Sequence, residues 1–196
     1  MRKTDNTLDF YDTNAEAYAA KTVSADVSDI RDMFIPFIPR GGRILDLGCG
    51  SGRDSFAFSR LGFSVIPADG SEEMCAQAER YTGLEVRKMG FSEMDYRNEF
   101  DGVWACSSLL HLNSRELPSV LRSVYAALKE NGVFFACFKK GNDEGPGPDG
   151  RYFNNLTAEK LRNLLEDAGF RIMDIWENTA SDGTVWVDSL SKKISV

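Results

Sequence analysis

Histidine is nearly missing from this chain of 196 residues: there is one, His111. The four cysteines, Cys49, Cys75, Cys106 and Cys137, form no C-x-x-C pair. A structural zinc site needs four closely grouped thiolate or imidazole ligands, so none is expected and no metal is assigned. Cysteines scattered through apolar stretches such as VWAC and FFACF read instead as small core residues in a reducing cytosol. Positive charge is also short: 23 Lys and Arg stand against 30 Asp and Glu, a net charge of −7. That balance argues against the broad basic surface needed to bind a phosphate backbone, and a nucleic-acid partner is not expected. No apolar run approaches the ~18–20 residues of a membrane span, and the opening MRKTDNTLDFYD lacks the apolar stretch of a signal peptide. The reading is a cytoplasmic protein with no membrane partner.

What is present is a substantial core. Hydrophobic residues make up 42% of the chain, including 13 Phe, 6 Tyr and 3 Trp, and the length predicts one domain. From residue 43 onward short apolar runs alternate with helical patterns, as a βαβ succession requires. Strands are predicted over 43–47, 63–68, 84–89, 100–106 and 132–138, with helices near 53–61, 72–81 and 115–129. Ser71 and Ser114 stand where an N-cap hydroxyl belongs, and Gly62 and Gly132 where a left-handed C-cap belongs. The segment GNDEGPGPDG, 141–150, reads as a long irregular loop. Thr157 then caps a helix with Leu161, Leu164, Leu165 and Ala168 on one face, and two strands over 170–176 and 183–193 form an antiparallel hairpin. Residues 1–40 form a helical cap ahead of a core over 41–196; its second helix is stopped by Pro36 and Pro39.

The most informative stretch is ILDLGCGSGRDS, 44–55, at the end of the first core strand. Gly48, Gly50 and Gly52 let the backbone turn and approach a ligand, and the helix start beyond them offers unpaired N–H groups to an anion. Asp69 ends the second strand about twenty residues after Gly48, where a carboxylate takes the hydroxyls of a ribose. A dinucleotide fingerprint would read G-x-G-x-x-G, whereas Arg53 stands at the third glycine position here.

LDLGCGSGR, followed by PADGSEEM and FDGVWACSSLLHL, resembles the class I S-adenosylmethionine-dependent methyltransferases. More narrowly, FYDTNAEAYAAK near the start and RYFNNLTAEKLRNLLEDAGFRIMDIWE near the end resemble small bacterial methyltransferases named for tellurite resistance. The resemblance implies a Rossmann-like α/β fold: a seven-stranded, mostly parallel sheet of order 3-2-1-4-5-7-6, strand 7 antiparallel, with helices on both faces. It implies S-adenosylmethionine as cofactor and methyl transfer to a small-molecule acceptor.

By the same resemblance Asp46, Gly48, Cys49, Gly50 and Gly52, with the adjoining Arg53, hold the methionine end of the cofactor. Asp69 is the ribose ligand, and Gly70, Ser71 and Met74 lie beside the adenine. Family members often carry an acid just after the third strand; here Met89, Gly90 and Phe91 stand there, leaving the adenine to backbone groups and Phe91. Cys106, Ser107 and Leu109 line the passage toward the acceptor, and Tyr11 and Tyr18 cover the cofactor.

Several roles stay open between two readings. Tyr11 and Tyr18, seven apart on one helical face, either cover the site or simply pack. His111 either accepts a proton from the acceptor or serves in capping and packing. Arg151, Tyr152 and Phe153 either bind a substrate anion and its aromatic surface or anchor their loop. Two rival functions also stand: a nicotinamide-dependent oxidoreductase, and a noncatalytic cofactor-binding or partner-activated subunit.

Overall fold

The structure, a computed structural model, describes residues 5–194. Its centre is a seven-stranded sheet built from β1 (Arg43–Leu47), β2 (Ser64–Asp69), β3 (Arg87–Lys88), β4 (Phe100–Ala105), β5 (Leu128–Lys139), β8 (Arg171–Thr179) and β9 (Val185–Lys192). The order is β3-β2-β1-β4-β5-β9-β8. β1 to β5 run parallel, and β9 is antiparallel to both β5 and β8. Counted within this sheet alone, that is the expected 3-2-1-4-5-7-6.

Around it lie α1 (Asp5–Thr22), α2 (Ser28–Phe34), α3 (Arg53–Arg60), α4 (Glu72–Thr82), α5 (Leu117–Ala127) and α6 (Ala158–Asp167). On one sheet face Leu121 and Val124 of α5 and Leu161 and Leu165 of α6 pack on Phe134 and Phe138 of β5. On the other, Phe34, Phe58, Trp104 and Phe135 form an aromatic cluster in which the Trp104 and Phe135 rings stack at 4.2 Å between centroids. Each such fully buried side chain contributes about 1.5–3 kcal/mol. Pro36 ends α2 as expected, and the chain continues as a 3-10 turn over Ile35–Phe37.

Four local expectations are corrected. The glycine-rich segment after β5 is not wholly irregular: β6 (Glu144–Pro146) and β7 (Tyr152–Asn154) pair as a small antiparallel hairpin. Ser114 does not cap α5. Asn113 Oδ1 accepts from the N–H groups of Arg115 and Glu116, while the Ser114 hydroxyl donates to Glu144 across the loop. Gly132 is not a left-handed cap, because Asn131 takes that conformation at φ 65° and β5 begins four residues earlier. The third strand shrinks to Arg87–Lys88, since at the sheet edge only Ala68 and Asp69 offer it partners.

Candidate active site

The C-terminal ends of β1, β2 and β4 open into three loops that meet above the sheet. The first is tied down at its start, where the N–H groups of Gly48 and Cys49 both donate to the Ala68 carbonyl of β2. Its glycines answer different constraints. A Cβ on Gly48 would lie 2.4 Å from Ser108 Cβ, and one on Gly52 would lie 2.7 Å from Thr82 Cγ2 and 3.1 Å from Ala78 Cβ, so Gly52 admits α4 rather than a ligand. Gly50, at φ 54°, faces open space, with Met74 Cε at 3.9 Å from where its Cβ would be. That opening belongs to a cavity of about 170 Å³.

Asp46, Gly48, Cys49 and Gly50 line this cavity with Ser51, Arg53 and Asp54. Asp69 and Met74 bound one side. Cys106, Ser107, Ser108 and His111, following β4, bound another. Tyr11, Tyr18 and Thr22 of α1 complete the lining. Small-molecule sites usually enclose about 300–1,000 Å³, so this cavity is a narrow one, with three side chains of α1 on its boundary.

The remaining sequence candidates lie outside this lining. Leu109 is fully buried in the core on the α5 side. Ser71 caps α4, accepting from Met74 N–H at 3.1 Å, and donates at 2.5 Å to Asp12 of α1. Gly70 lies under Leu8 of α1, 3.1 Å from Leu8 Cδ2 to the position of its Cβ. Gly90 donates to Glu93 Oε2 at 2.6 Å, and Phe91 packs near Gly48. Arg151, Tyr152 and Phe153 sit on β7 and just before it, against the same α1.

Two carboxylates dominate the cavity. Asp69 accepts from Gly50 N–H and from Ser71 N–H, one on each oxygen at 2.9 Å. Burial raises its carboxyl, opposed by those N–H groups. A carboxylate has about four acceptor positions, so backbone N–H groups hold it in place and still leave capacity for a hydroxyl donor. Asp46, 3% exposed, accepts from Ser55 Oγ at 2.5 Å. Burial, reinforced by neighbouring Asp54, pushes Asp46 up to about 7, against the pull of Ser55 and Arg53.

Asp54 is the charged hub that the sequence did not reveal. It takes the Arg53 guanidinium at 2.6 and 3.1 Å, Arg31 of α2 at 2.8 Å, and the Trp104 indole N–H at 3.0 Å. Burial alone would raise its carboxyl, but Arg53, Trp104 and Arg31 outweigh that and hold it below the usual range. An acid beside an arginine at a helix start reads as an ordinary first-turn residue, and only the distant Arg31 and Trp104 mark it out.

At the α1 side the hydrogen-bond directions follow from the partners. His111 Nδ1 lies 2.7 Å from the Tyr152 carbonyl, which only accepts, so Nδ1 carries the proton. Burial, with Arg151 and Lys139 nearby, lowers the imidazole to about 4 despite that carbonyl, so it is neutral at pH 7 and Nε2 accepts. Tyr11 O–H therefore donates to His111 Nε2 at 2.9 Å and accepts from Arg151 Nη1 at 3.0 Å. Arg151 also pairs with Asp149 at 2.6 Å and lies over the rings of Phe10, Tyr11, Tyr18 and Phe153 at 4.6–5.6 Å. Thr7 Oγ1, accepting from Tyr152 N–H at 2.9 Å, fastens the β6–β7 hairpin to α1.

Among the described residues no helix is long and apolar enough to cross a membrane, and no group of three or more His, Cys, Asp or Glu is placed to hold a metal ion.

Comparison with known proteins follows the same lines. The methyltransferase domain family matches residues 44–132. YqeM of Bacillus subtilis, a methyltransferase by name, is 35% identical over 73% of this chain and 56% of its own length. TehB of Haemophilus influenzae, by name an S-adenosyl-L-methionine-dependent methyltransferase, is 23% identical over 72% of this chain and 51% of its own. The chain thus spans about half the length of these relatives. Among solved structures, the Burkholderia thailandensis 1,6-didemethyltoxoflavin-N1-methyltransferase, with bound 1,6-didemethyltoxoflavin and S-adenosylhomocysteine, superimposes with a TM-score of 0.79 at 22% identity, covering 97% of this chain and 88% of that one. Residues 44–132 match the methyltransferase domain, and in strand order, glycine loop and β2 carboxylate this chain is similar to the class I S-adenosylmethionine-dependent methyltransferases.

Proposed function

We propose that the chain transfers the methyl group of S-adenosylmethionine to a small-molecule acceptor. The observation that carries this reading is the pairing of Gly50 N–H with the Asp69 carboxylate at the mouth of the glycine loop, next to space that a Cβ on Gly50 would enter. The residues present fit the cofactor's chemistry. Asp69 keeps acceptor capacity for a ribose hydroxyl, Asp46 is a buried acid suited to an ammonium, and Met74 and Phe91 give apolar surface beside the glycine loop.

When bound, S-adenosylmethionine supplies a methyl carbon already activated on a sulfonium. The protein's contribution is then to orient the acceptor and to exclude water. Tyr11 and Tyr18, edge to face at 5.0 Å, close the cavity from α1. His111, at about 4 and with Nε2 committed to Tyr11, is a weak base. It holds the Tyr11 hydroxyl in place, and the acceptor brings its own nucleophile, an anion or an unprotonated heteroatom. Arg151, and Lys139 with its ammonium 4.0 Å over the Phe153 ring, put positive charge beside aromatic surface at this end. These are the groups that would receive a small, flat, anionic acceptor. The Burkholderia neighbour, crystallised with 1,6-didemethyltoxoflavin, supports an acceptor of small-molecule size.

The test is turnover of methyl-labelled S-adenosylmethionine against a metabolite panel weighted toward aromatic carboxylates, phenolates and thiolates. Label transfer to one class establishes the reaction. No transfer to any member, with the cofactor bound, favours the noncatalytic alternative.

A further inference from the structure

Cys137 lies on β5, and Cys106 is the first residue beyond β4, its parallel neighbour. β4 and β5 are in register at Ala105 and Ala136, and the next residue of each chain turns its side chain to the same sheet face, the one holding Trp104 and Phe135. Neighbouring strands lie about 4.7–4.9 Å apart, within the Cα separation of roughly 4.4–6.8 Å that a disulfide spans. The Ser107 hydroxyl lies 3.9 Å from the Cys106 sulfur and 3.5 Å from the Cys137 sulfur, so both thiols meet around one side chain.

Their surroundings differ in a way that suits thiol chemistry. Cys106 is partly accessible and lines the cavity, with the Arg53 guanidinium 3.7 Å from its sulfur. Cys137 is buried behind it, and its sulfur accepts from Ser107 N–H at 3.0 Å. Ser107 presents that N–H because it adopts φ 55°, the left-handed region that a side-chain-bearing residue seldom enters. A reachable thiol beside a cation, with a second thiol close by, is the arrangement in which one sulfur is oxidised and the other resolves it.

The other two cysteines, Cys49 and Cys75, share a small apolar cluster with Ala78 and Val86. Burial with Asp69 and Asp46 raises the Cys49 thiol, and burial with Asp69 takes Cys75 up to about 12. The neighbouring Cys106 and burial likewise raise the Cys137 thiol; what separates the two pairs is access, since Cys49 and Cys75 are both buried while Cys106 is reachable, and Cys49–Cys75 is the internal control.

We propose that Cys106 and Cys137 are an oxidisable thiol pair, which hydrogen peroxide converts into an intrachain disulfide in the wall of the cavity. The Cys106 thiolate attacks one peroxide oxygen, the O–O bond breaks and hydroxide leaves, giving a sulfenic acid. The Cys137 sulfur then displaces the hydroxyl from Cys106, and its proton leaves with that hydroxyl as water. Two thiols are oxidised by two electrons, and one peroxide becomes two waters.

The full-length folded chain is treated with hydrogen peroxide at near-stoichiometric dose, alkylated, digested and mapped by mass spectrometry. The expected product has lost two hydrogens, carries a Cys106–Cys137 cross-linked peptide and is restored by dithiothreitol. Cys75→Ala should leave that link in place, and Cys137→Ala should stop Cys106 at the sulfenic acid, trapped by dimedone. If Cys137→Ala does not fold, the wild-type peptide map still decides. A Cys49–Cys75 link, an intermolecular disulfide, or an unmodified Cys106 in the folded chain overturns the proposal. A further arm rests on the methyl-transfer reading: saturating S-adenosylhomocysteine, its binding confirmed by calorimetry on the reduced chain, should slow the link several-fold. Binding without protection overturns the access route through the cavity, whereas absence of binding counts against methyl transfer and leaves the cross-link result standing.

Discussion

Replacing Asp46 by Asn tests the cavity's electrostatics in one step. The carboxyl is 3% exposed and held up to about 7 by burial and by Asp54, so at neutral pH it stands half protonated. Binding an ammonium against it favours the charged form, and the ligand and a proton then compete. One pH unit below that value roughly ten chains in eleven carry the proton, so wild-type affinity for S-adenosylhomocysteine should fall about tenfold per unit, ~1.4 kcal/mol. Well above about 7 the affinity should level off. In Asp46→Asn the amide oxygen still accepts from Ser55 Oγ, preserving the local bond, but the charge is gone. Loss of a charge-assisted hydrogen bond costs about 1.5–3 kcal/mol, so well above about pH 7 the variant should bind at least tenfold more weakly, and with no slope of its own the gap to wild type should close as pH falls. His111, at about 4, titrates below the window. Isothermal calorimetry from about pH 5.5 to 8.5, in buffers of different ionisation enthalpy, reads both affinity and proton release. Wild-type affinity flat across that range, or a variant that keeps the slope, would refute the reasoning.

Four further outcomes are expected. Because the folded pKa of Asp46 lies above the usual unfolded value, its contribution to stability is present below about pH 4 and is lost as pH rises toward about 7; urea midpoints should therefore show wild type losing stability relative to Asp46→Asn across that window. Asp69→Ala should weaken S-adenosylhomocysteine binding at least about tenfold by calorimetry, from the loss of charge-assisted bonds to the ribose, and unchanged affinity would remove Asp69 from the site. Gly50→Val, at φ 54° and facing the cavity, should abolish binding, whereas Gly52→Ala, pressed against Thr82 and Ala78, should lower the melting temperature in ligand-free and ligand-bound protein alike. Thr7→Val removes the buried acceptor of Tyr152 N–H and should speed hydrogen exchange in both α1 and the β6–β7 hairpin; acceleration in α1 alone would show that the two do not close as one cover.

What was legible in the sequence was local. The turn at Gly48 to Gly52, the acid ending β2, and the helix caps at Ser71 and Thr157 each depend on a few neighbouring residues. The alternation of apolar runs with helical periods carried the parallel α/β class because parallel strands require crossovers, whereas the strand order came from the family resemblance. What was hidden was nonlocal. Tyr11 and Arg151 are separated by 140 positions, and nothing in either neighbourhood announces that one hydroxyl will bridge a guanidinium and an imidazole. The pairing of Glu144–Pro146 with Tyr152–Asn154 was masked by glycines and prolines, which act as the turn between short strands. The different duties of the three loop glycines depend on Ser108 and Thr82, which arrive from other elements.

The function proposed for this chain rests on the glycine loop and the β2 carboxylate binding S-adenosylmethionine. The most direct measurement is a parallel calorimetric titration of the wild-type chain with S-adenosylhomocysteine and with NAD. Saturable one-site binding of S-adenosylhomocysteine is expected, with no heat from NAD beyond dilution. Binding of NAD with no response to S-adenosylhomocysteine would contradict it.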